Sequence, residues 1–366
     1  MRSLVFTDMT STGGTGTFIK NLLSIHFQNN IKTTLCCDIF DLNESMQKTI
    51  SQTNTQFIII KKRSKPFNKS YFSLLFEWIY YFPIIKKNKS DLVIISTANP
   101  GWCFFFFFLK VPFIYILHTP VNKPTFKSKL MFLIPKYFSN KYKMFYAVSK
   151  YVKNSIIENW NVDERIVNII YNSYTTYYKT ESNLVYKNQN KIILTLGHVV
   201  EYKNPFFWID IAEKITELCK DAEFYWLGEG DLLIKCQEQT KNNTRIHFIG
   251  HIDNVEEYYK NAYLYLQPSI KESLGMSVID AMHFSLPCIV SEAEGLPETV
   301  ENNKSGFVID ITNKQEYIKK IIYLLENSEI ASDFGLNAYN RSIDIFNPML
   351  QKTKILSLYQ KALFNY

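Results

Sequence analysis

Short apolar runs alternate with longer segments of helical period along most of this chain. In the first half, residues 3–7, 33–38, 57–61, 92–96, 113–118, 145–149 and 166–171 read as strands, while 18–27, 71–85 and 102–109 carry helical signals. Strands that are apolar almost throughout, each followed by a helix, predict a parallel sheet covered on both faces. The polar segment from Tyr174 to Asn190 has no such period and reads as a linker at 175–190. The pattern then starts afresh, with strands at 191–196, 223–227, 246–249 and 264–268 and helices at 206–219, 232–239 and 255–261. A last helix covers 347–364, with Pro348 near its start. The predicted fold class is therefore α/β: two facing, doubly wound, Rossmann-like domains of parallel sheet with a cleft between them. Their bounds are 1–174 and 191–346.

Length agrees with that division, because 366 residues exceed one ordinary core. A hydrophobic share of 46% against 20% charged residues excludes a disordered chain. The net charge of +7 hides an asymmetry: residues 1–180 hold 23 Lys and Arg against 9 Asp and Glu, and the remainder holds 18 against 25. Between Thr119 and Ile157 there are eight lysines and no acid, interleaved with Phe126, Leu130, Met131, Phe132, Leu133, Ile134, Tyr137 and Phe138. A basic amphipathic stretch of this kind fits an anionic membrane surface. Nucleic acid and a merely solvated helix face are the competing readings, and the membrane is the partner expected here. The run of five phenylalanines at 104–108 is followed by Lys110 and Pro112, which makes it too short to span a bilayer. Arg2 leads directly into the first strand, so no secretory signal is expected. Six cysteines without a C-x-x-C pair or metal-ligand spacing read as reduced thiols. The expected location is the cytoplasm, with peripheral contact at the cytoplasmic face of the inner membrane.

Candidate chemistry concentrates between Gln267 and Glu298, QPSIKESLGMSVIDAMHFSLPCIVSEAEGLPE. A strand end, Glu272, the turn at Gly275 and a helix carrying Asp280 follow one another there. A helix N-terminus offers unpaired N–H groups and partial positive charge, which suits a phosphate, and the two acids would flank it. That arrangement suits a nucleotide-sugar, although an ordinary strand–loop–helix connection has the same spacing. His118 ends a strand at the carboxyl edge, where ligands of open α/β sheets bind. Gly13, Gly14 and Gly16 precede the first helix, but they form neither a dinucleotide fingerprint nor a P-loop. Lys203 lies six residues after Gly197.

The segment resembles the E-x7-E signature of the retaining family-4 glycosyltransferases, which have the two-domain GT-B fold. The likeness extends through Pro268 and Ser269 before the acids, Ala281 and Met282 after them, and Leu286, Pro287, Gly295–Glu298 and Gly306–Val308 beyond. It implies catalytic roles for His118 and Glu272. It places Gly14, His198, Lys203, Ser273, Leu274, Gly275 and Met276 at the donor phosphate and sugar, and Gly250, His251, Ile252 and Asp280 at the nucleoside. It also implies that the 347–366 helix packs back on the first domain and that Asn172 is structural. Two positions depart from the family pattern. His198 stands where the family has arginine, exchanging a permanent bidentate cation for a shorter group. Asp280 stands where the family usually has glutamate. The implied reaction is retaining transfer of a sugar from a UDP- or GDP-linked donor to a glycan or lipid-linked acceptor, in lipopolysaccharide, O-antigen or capsule synthesis. The resemblance also implies that no metal or other cofactor is required, and nucleic acid is not expected as a partner. The alternatives are a nucleotide-sugar epimerase, a phosphorylase, or a GT-B scaffold with weakened catalysis.

Overall fold

The computed structural model describes residues 1–8, 13–38, 42–60, 71–102, 104–123, 133–175 and 191–364, with 71–78 as backbone. They divide into two compact units, Met1–Tyr171 with Gln351–Tyr366, and Asn172–Leu350.

The first unit runs β1 (Arg2–Thr7), α1 (Gly13–Gln28), β2 (Lys32–Cys37), α2 (Glu44–Gln52), β3 (Gln56–Ile59), α3 (Tyr71–Asn88), β4 (Leu92–Thr97), β5 (Phe113–Leu117), α4 (Leu133–Phe138), β6 (Lys143–Ala147), α5 (Lys150–Trp160) and β7 (Val167–Ile169). Its seven strands are parallel, in the order β3-β2-β1-β4-β5-β6-β7. Every residue of β4 and β5 is buried, which is why these strands read as apolar almost throughout.

The second unit runs β8 (Lys191–Leu196), α6 (Pro205–Leu218), β9 (Ala222–Leu227), α7 (Leu233–Thr240), β10 (Ile246–Gly250), α8 (Val255–Asn261), β11 (Leu264–Gln267), α9 (Met276–His283), β12 (Cys288–Ser291), α10 (Leu296–Thr299), β13 (Gly306–Ile309), α11 (Lys314–Glu326) and α12 (Ser328–Ile345). Its six parallel strands lie in the order β10-β9-β8-β11-β12-β13. In each sheet the strand order reverses once, between β1 and β4 and between β8 and β11. Connections leave in opposite directions there, and the carboxyl ends of the two strands open a crevice.

Three local expectations change. α1 begins at Gly13 rather than at residue 18, so Gly13 and Gly14 form its first turn instead of a preceding loop; Gly13 has φ +71°, which glycine adopts without penalty. The phenylalanine run forms a short 3-10 helix, Phe104–Phe108, rather than an α-helix. Gly101, with φ +106°, and Pro112 bound it. β6 starts at Lys143, a buried lysine whose ammonium donates to the Phe107 carbonyl at 2.5 Å. A charged residue inside a strand conceals the strand's start.

A final helix, α13 (Pro348–Phe364), contributes Ile355, Leu358, Tyr359 and Ala362 to the first unit's core, a stripe at helical spacing. A buried polar cluster fastens it. His26 Nδ1 lies 2.8 Å from Thr33 Oγ1 and 3.3 Å from Ser3 Oγ, and His26 Nε2 lies 2.8 Å from the Tyr359 hydroxyl. Burial lowers the His26 pKa to about 3, so the ring is neutral and serves as a hydrogen-bonding spacer. Tyr359→Phe leaves Nε2 without a partner and should cost about 1–3 kcal/mol. Urea unfolding would show this as a lower midpoint at unchanged slope; an unchanged midpoint would mean that the cluster contributes nothing.

Candidate active site

Backbone sterics set the floor of the site. β8 leads directly into Gly197, whose carbonyl accepts from Trp226 Nε1 at 2.9 Å. Gly228 crosses so close to it that an added Cβ would lie 2.2 Å from the Gly197 oxygen. The chain then makes a 3-10 turn at Glu201–Lys203, reverses at Asn204 with φ +61°, and starts α6 with Pro205 at its first position. This reversal carries the Lys203 side chain back over Gly197, where a Cβ would stand 3.6 Å from Lys203 Cε.

The loop after β11 supplies the counterpart. Tyr202 O accepts from Ile270 N at 2.7 Å, and Glu272 O accepts from Gly295 N at 2.8 Å, so the loop is pinned at both ends. A Cβ on Gly295 would fall 2.0 Å from Ser273 O. Held in this way, the Glu272 carboxylate forms an ion pair with Lys203 through Oε2, with the two side chains 18% and 13% exposed. Gln267 Nε2 donates to the same oxygen at 3.0 Å.

Gly275 caps α9 with φ +90°, and the N–H groups of the helix's first turn, at Met276 and Ser277, have no intrahelical acceptor. Donors without partners therefore lie a few residues from a lysine and a carboxylate. The cluster can bind an anion against the helix tip and Lys203 while Glu272 accepts from hydroxyl groups beside it.

Other predicted residues are placed as follows. Ser273 and Met276 are half-buried beside the helix tip, and Leu274 is buried, its carbonyl accepting from Thr299 Oγ1 at 2.5 Å. His198 is exposed directly after Gly197. Gly250 ends β10 with φ +83°, and its carbonyl accepts from Gly228 N at 2.8 Å. Ile252 is half-buried, and His251 is exposed, its Nε2 lying 3.3 Å from Asp253 Oδ1. Asn172 is buried, and among the described residues its Oδ1 finds no hydrogen-bond partner.

Asp280, expected at the nucleoside, has its carboxylate engaged within the protein. It is buried and faces Thr175, whose N–H donates to Oδ1 at 2.8 Å and whose hydroxyl donates to Oδ2 at 3.1 Å. Both oxygens thus fasten residues 172–175 to α9. Tyr174 adds to the tie by stacking on His283 with ring centroids 3.6 Å apart, and its N–H donates to Phe346 O at 3.1 Å. These contacts explain why the first unit ends at Tyr171 rather than at 174.

In the first unit, Gly14 lies in the first turn of α1, half-buried. His118 follows β5 at the carboxyl edge, and Ser96 Oγ lies 2.9 Å from its Nε2. Phe18 packs edge-on against the ring at 4.9 Å. Burial lowers the His118 pKa to about 3, so it is a neutral hydrogen-bonding group rather than a cation. Beside it, the Thr97 hydroxyl and the Ala98 N–H donate to Asp8 at 2.7 and 3.2 Å, closing the β1/β4 switch point.

Sequence reasoning passed over Gln267, Tyr265, Ser277 and Thr175. A glutamine at the carboxyl end of a buried strand at the sheet's switch point was a usable signal for the first of these. Thr175 gave none, because its partner lies 105 positions away.

Comparisons with known proteins bear on the family and the fold. A model of the group 1 glycosyl transferases matches residues 179–341, and one of glycosyltransferase family 4 matches residues 12–176. The UDP-Gal:alpha-D-GlcNAc-diphosphoundecaprenol alpha-1,3-galactosyltransferase of Escherichia coli is 26% identical over 191 residues, 50% of this chain and 49% of that protein. The chain thus spans about half the length of this relative. Among solved structures, a glycosyltransferase from Rickettsia africae superposes with a TM-score of 0.80 at 20% identity, covering 100% of this chain and 99% of the other. Anabaena HepE in complex with UDP and glucose gives 0.75 at 15% identity, covering 98% and 99%.

The Asp280 environment has a pH consequence. Desolvation outweighs the two Thr175 hydrogen bonds and raises the folded-state pKa from 3.8 to about 7. Ionisation is therefore easier in the unfolded chain, and stability present below pH 4 is lost as pH rises towards 7. Asp280→Asn keeps an acceptor for Thr175 N–H and abolishes the ionisation. Thermal midpoints at pH 5 and pH 8 should differ less in the variant than in the parent; parallel curves would contradict the assignment.

Proposed function

The chain belongs to the GT-B glycosyltransferases that these two models describe, and on that premise we propose that it transfers a sugar from a nucleotide-sugar in its second unit to a glycan or lipid-linked acceptor. The observation that carries this reading is the cluster of Lys203, Glu272 and the α9 tip. Breaking a glycosidic bond to a nucleoside diphosphate delivers negative charge to the leaving diphosphate. The first-turn N–H groups are fixed donors, and Lys203 is a cation within the same cluster; together they are suited to receive that charge, which lowers the barrier. Glu272 accepts from the sugar's hydroxyls. Lys203 has to exchange Glu272 for the diphosphate, and in doing so it frees a lone pair of the carboxylate for the sugar.

Transfer proceeds with retention of anomeric configuration and without a metal, the leaving group being neutralised by Lys203 and amides. The donor is a UDP- or GDP-sugar. UDP in the Anabaena structure and UDP-Gal in the name of the Escherichia coli relative support the former. The diphosphoundecaprenol in that name supports a lipid-linked acceptor, in bacterial lipopolysaccharide, O-antigen or capsule synthesis. Neutral His118 contributes hydrogen bonding on the acceptor side.

The first unit docks peripherally on an anionic membrane, at the cytoplasmic face where such acceptors are presented. Phe108, Leu133, Tyr137 and Phe138 are exposed around α4, with Phe108 and Phe138 edge-to-face at 4.7 Å and the Lys136 ammonium 5.4 Å from the Tyr137 ring centre. Apolar side chains at the tip with lysines alongside suit the boundary between acyl chains and headgroups. Residues 124–132 of the basic stretch lie outside the described residues. Among the described residues no helix is long and apolar enough to cross a membrane.

Two measurements test these readings. Glu272→Gln and Lys203→Ala, each still folded, should lower nucleotide-sugar turnover by roughly 10²–10³-fold, and parental activity in either would refute the site. In flotation, vesicles with anionic lipid should carry more protein than neutral ones, and Tyr137→Glu with Phe138→Glu should abolish the difference; equal recovery would refute docking.

A further inference from the structure

We infer that Gln267 is a positioning residue that keeps Glu272 aimed at the donor sugar when Lys203 leaves it for the diphosphate. The inference rests on the functional reading above and deepens it at the same site. Gln267 is 1% exposed, and it lies in β11 between β8 and β12, each bonded to it in parallel. Its Nε2 donates to Glu272 Oε2 at 3.0 Å, and its Oε1 accepts from Ser277 Oγ at 2.9 Å. The Tyr265 hydroxyl lies 3.1 Å from the same Oε1 and 3.1 Å from both Leu196 N and O. These contacts fix the amide's orientation: turning it over would set its oxygen against a carboxylate oxygen.

Two donors therefore meet at Glu272 Oε2, and they behave differently. Lys203 is a charged, flexible donor with a second anion to choose once a diphosphate arrives. Gln267 is neutral, rigidly held and has one carboxylate within reach. Among the described residues Glu272 Oε1 accepts no hydrogen bond, so with the amide holding Oε2 that oxygen is the free acceptor. Ser277 extends the coupling. Its hydroxyl bonds to Gln267 while its backbone belongs to the first turn of α9, so one side chain sets the spacing between the acid that grips hydroxyls and the amides that grip phosphate. Holding reacting groups to within an ångström is worth up to about 10²-fold in rate.

Positioning makes a different prediction from binding or folding. Gln267→Met keeps the volume and removes both polar ends. Its kcat should fall by about 10–100-fold, while the donor KM and the Kd for the nucleoside diphosphate stay within a factor of about three of the parent. Gln267→Glu places a second carboxylate at Oε2. The pair must share a proton to remain in contact, so the pH optimum should move lower, with activity approaching the parent's on the acid side. Circular dichroism and thermal midpoints verify folding of both variants. Parental kcat in folded Gln267→Met, or a nucleoside diphosphate affinity that falls as far as kcat, would overturn the positioning role. If the parent neither binds UDP or GDP nor turns over their sugars, the functional reading itself fails, and this inference fails with it. A working parent with an indifferent Gln267 variant refutes the inference alone.

Discussion

The ion pair between Lys203 and Glu272 is the interaction on which the chemistry proposed for the second unit depends. A pair exposed by less than a fifth on each side loses hydration that its mutual attraction barely repays, so stability alone is a weak reason for building one. Its surroundings supply a better one. Both charges stand at the carboxyl edge of a parallel sheet, at the reversal between β8 and β11, with a helix tip a few residues away. Each group holds its counterpart in place.

Steric constraints make this placement possible. Gly228 and Gly295 lie where any Cβ would collide with the backbone of the opposing loop, and Gly275 carries a φ that side chains disfavour. These close approaches let the loops after β8, β9, β11 and β12 converge on a small volume. Farther along the same helix, Asp280 and His283 hold the segment 172–175. α9 therefore presents donors at one end and fastens the start of the second unit near the other.

Much of this was legible in the sequence, because apolar runs and glycine turns are local signals. The strand at 191–196 and the helix at 255–261 read from sequence have the bounds observed, and Lys203 and Glu272, which lie 69 positions apart along the chain, meet in an ion pair. What escaped notice depended on long-range contacts or on polar residues inside elements. α2 is short and mostly polar and buries Met46 and Ile50, a single i, i+4 pair that is easily missed; Asn43, which caps it by accepting from Met46 N at 2.9 Å, was a further clue. Lys143 concealed the start of a strand, and crowded phenylalanines between Gly101 and Pro112 imitated an α-helix. Asp280 had the right spacing for a ligand-binding acid, but a threonine from the preceding segment engages both of its oxygens.

The most direct test is crystallographic: diffraction from crystals of this protein soaked with a nucleoside diphosphate. The account predicts diphosphate oxygens against the N–H groups of Gly275–Ser277, with Lys203 Nζ moved from Glu272 onto the ligand and Gln267 still bonded to Glu272. Diphosphate density elsewhere, or at the helix tip with Lys203 still on the carboxylate, would contradict it.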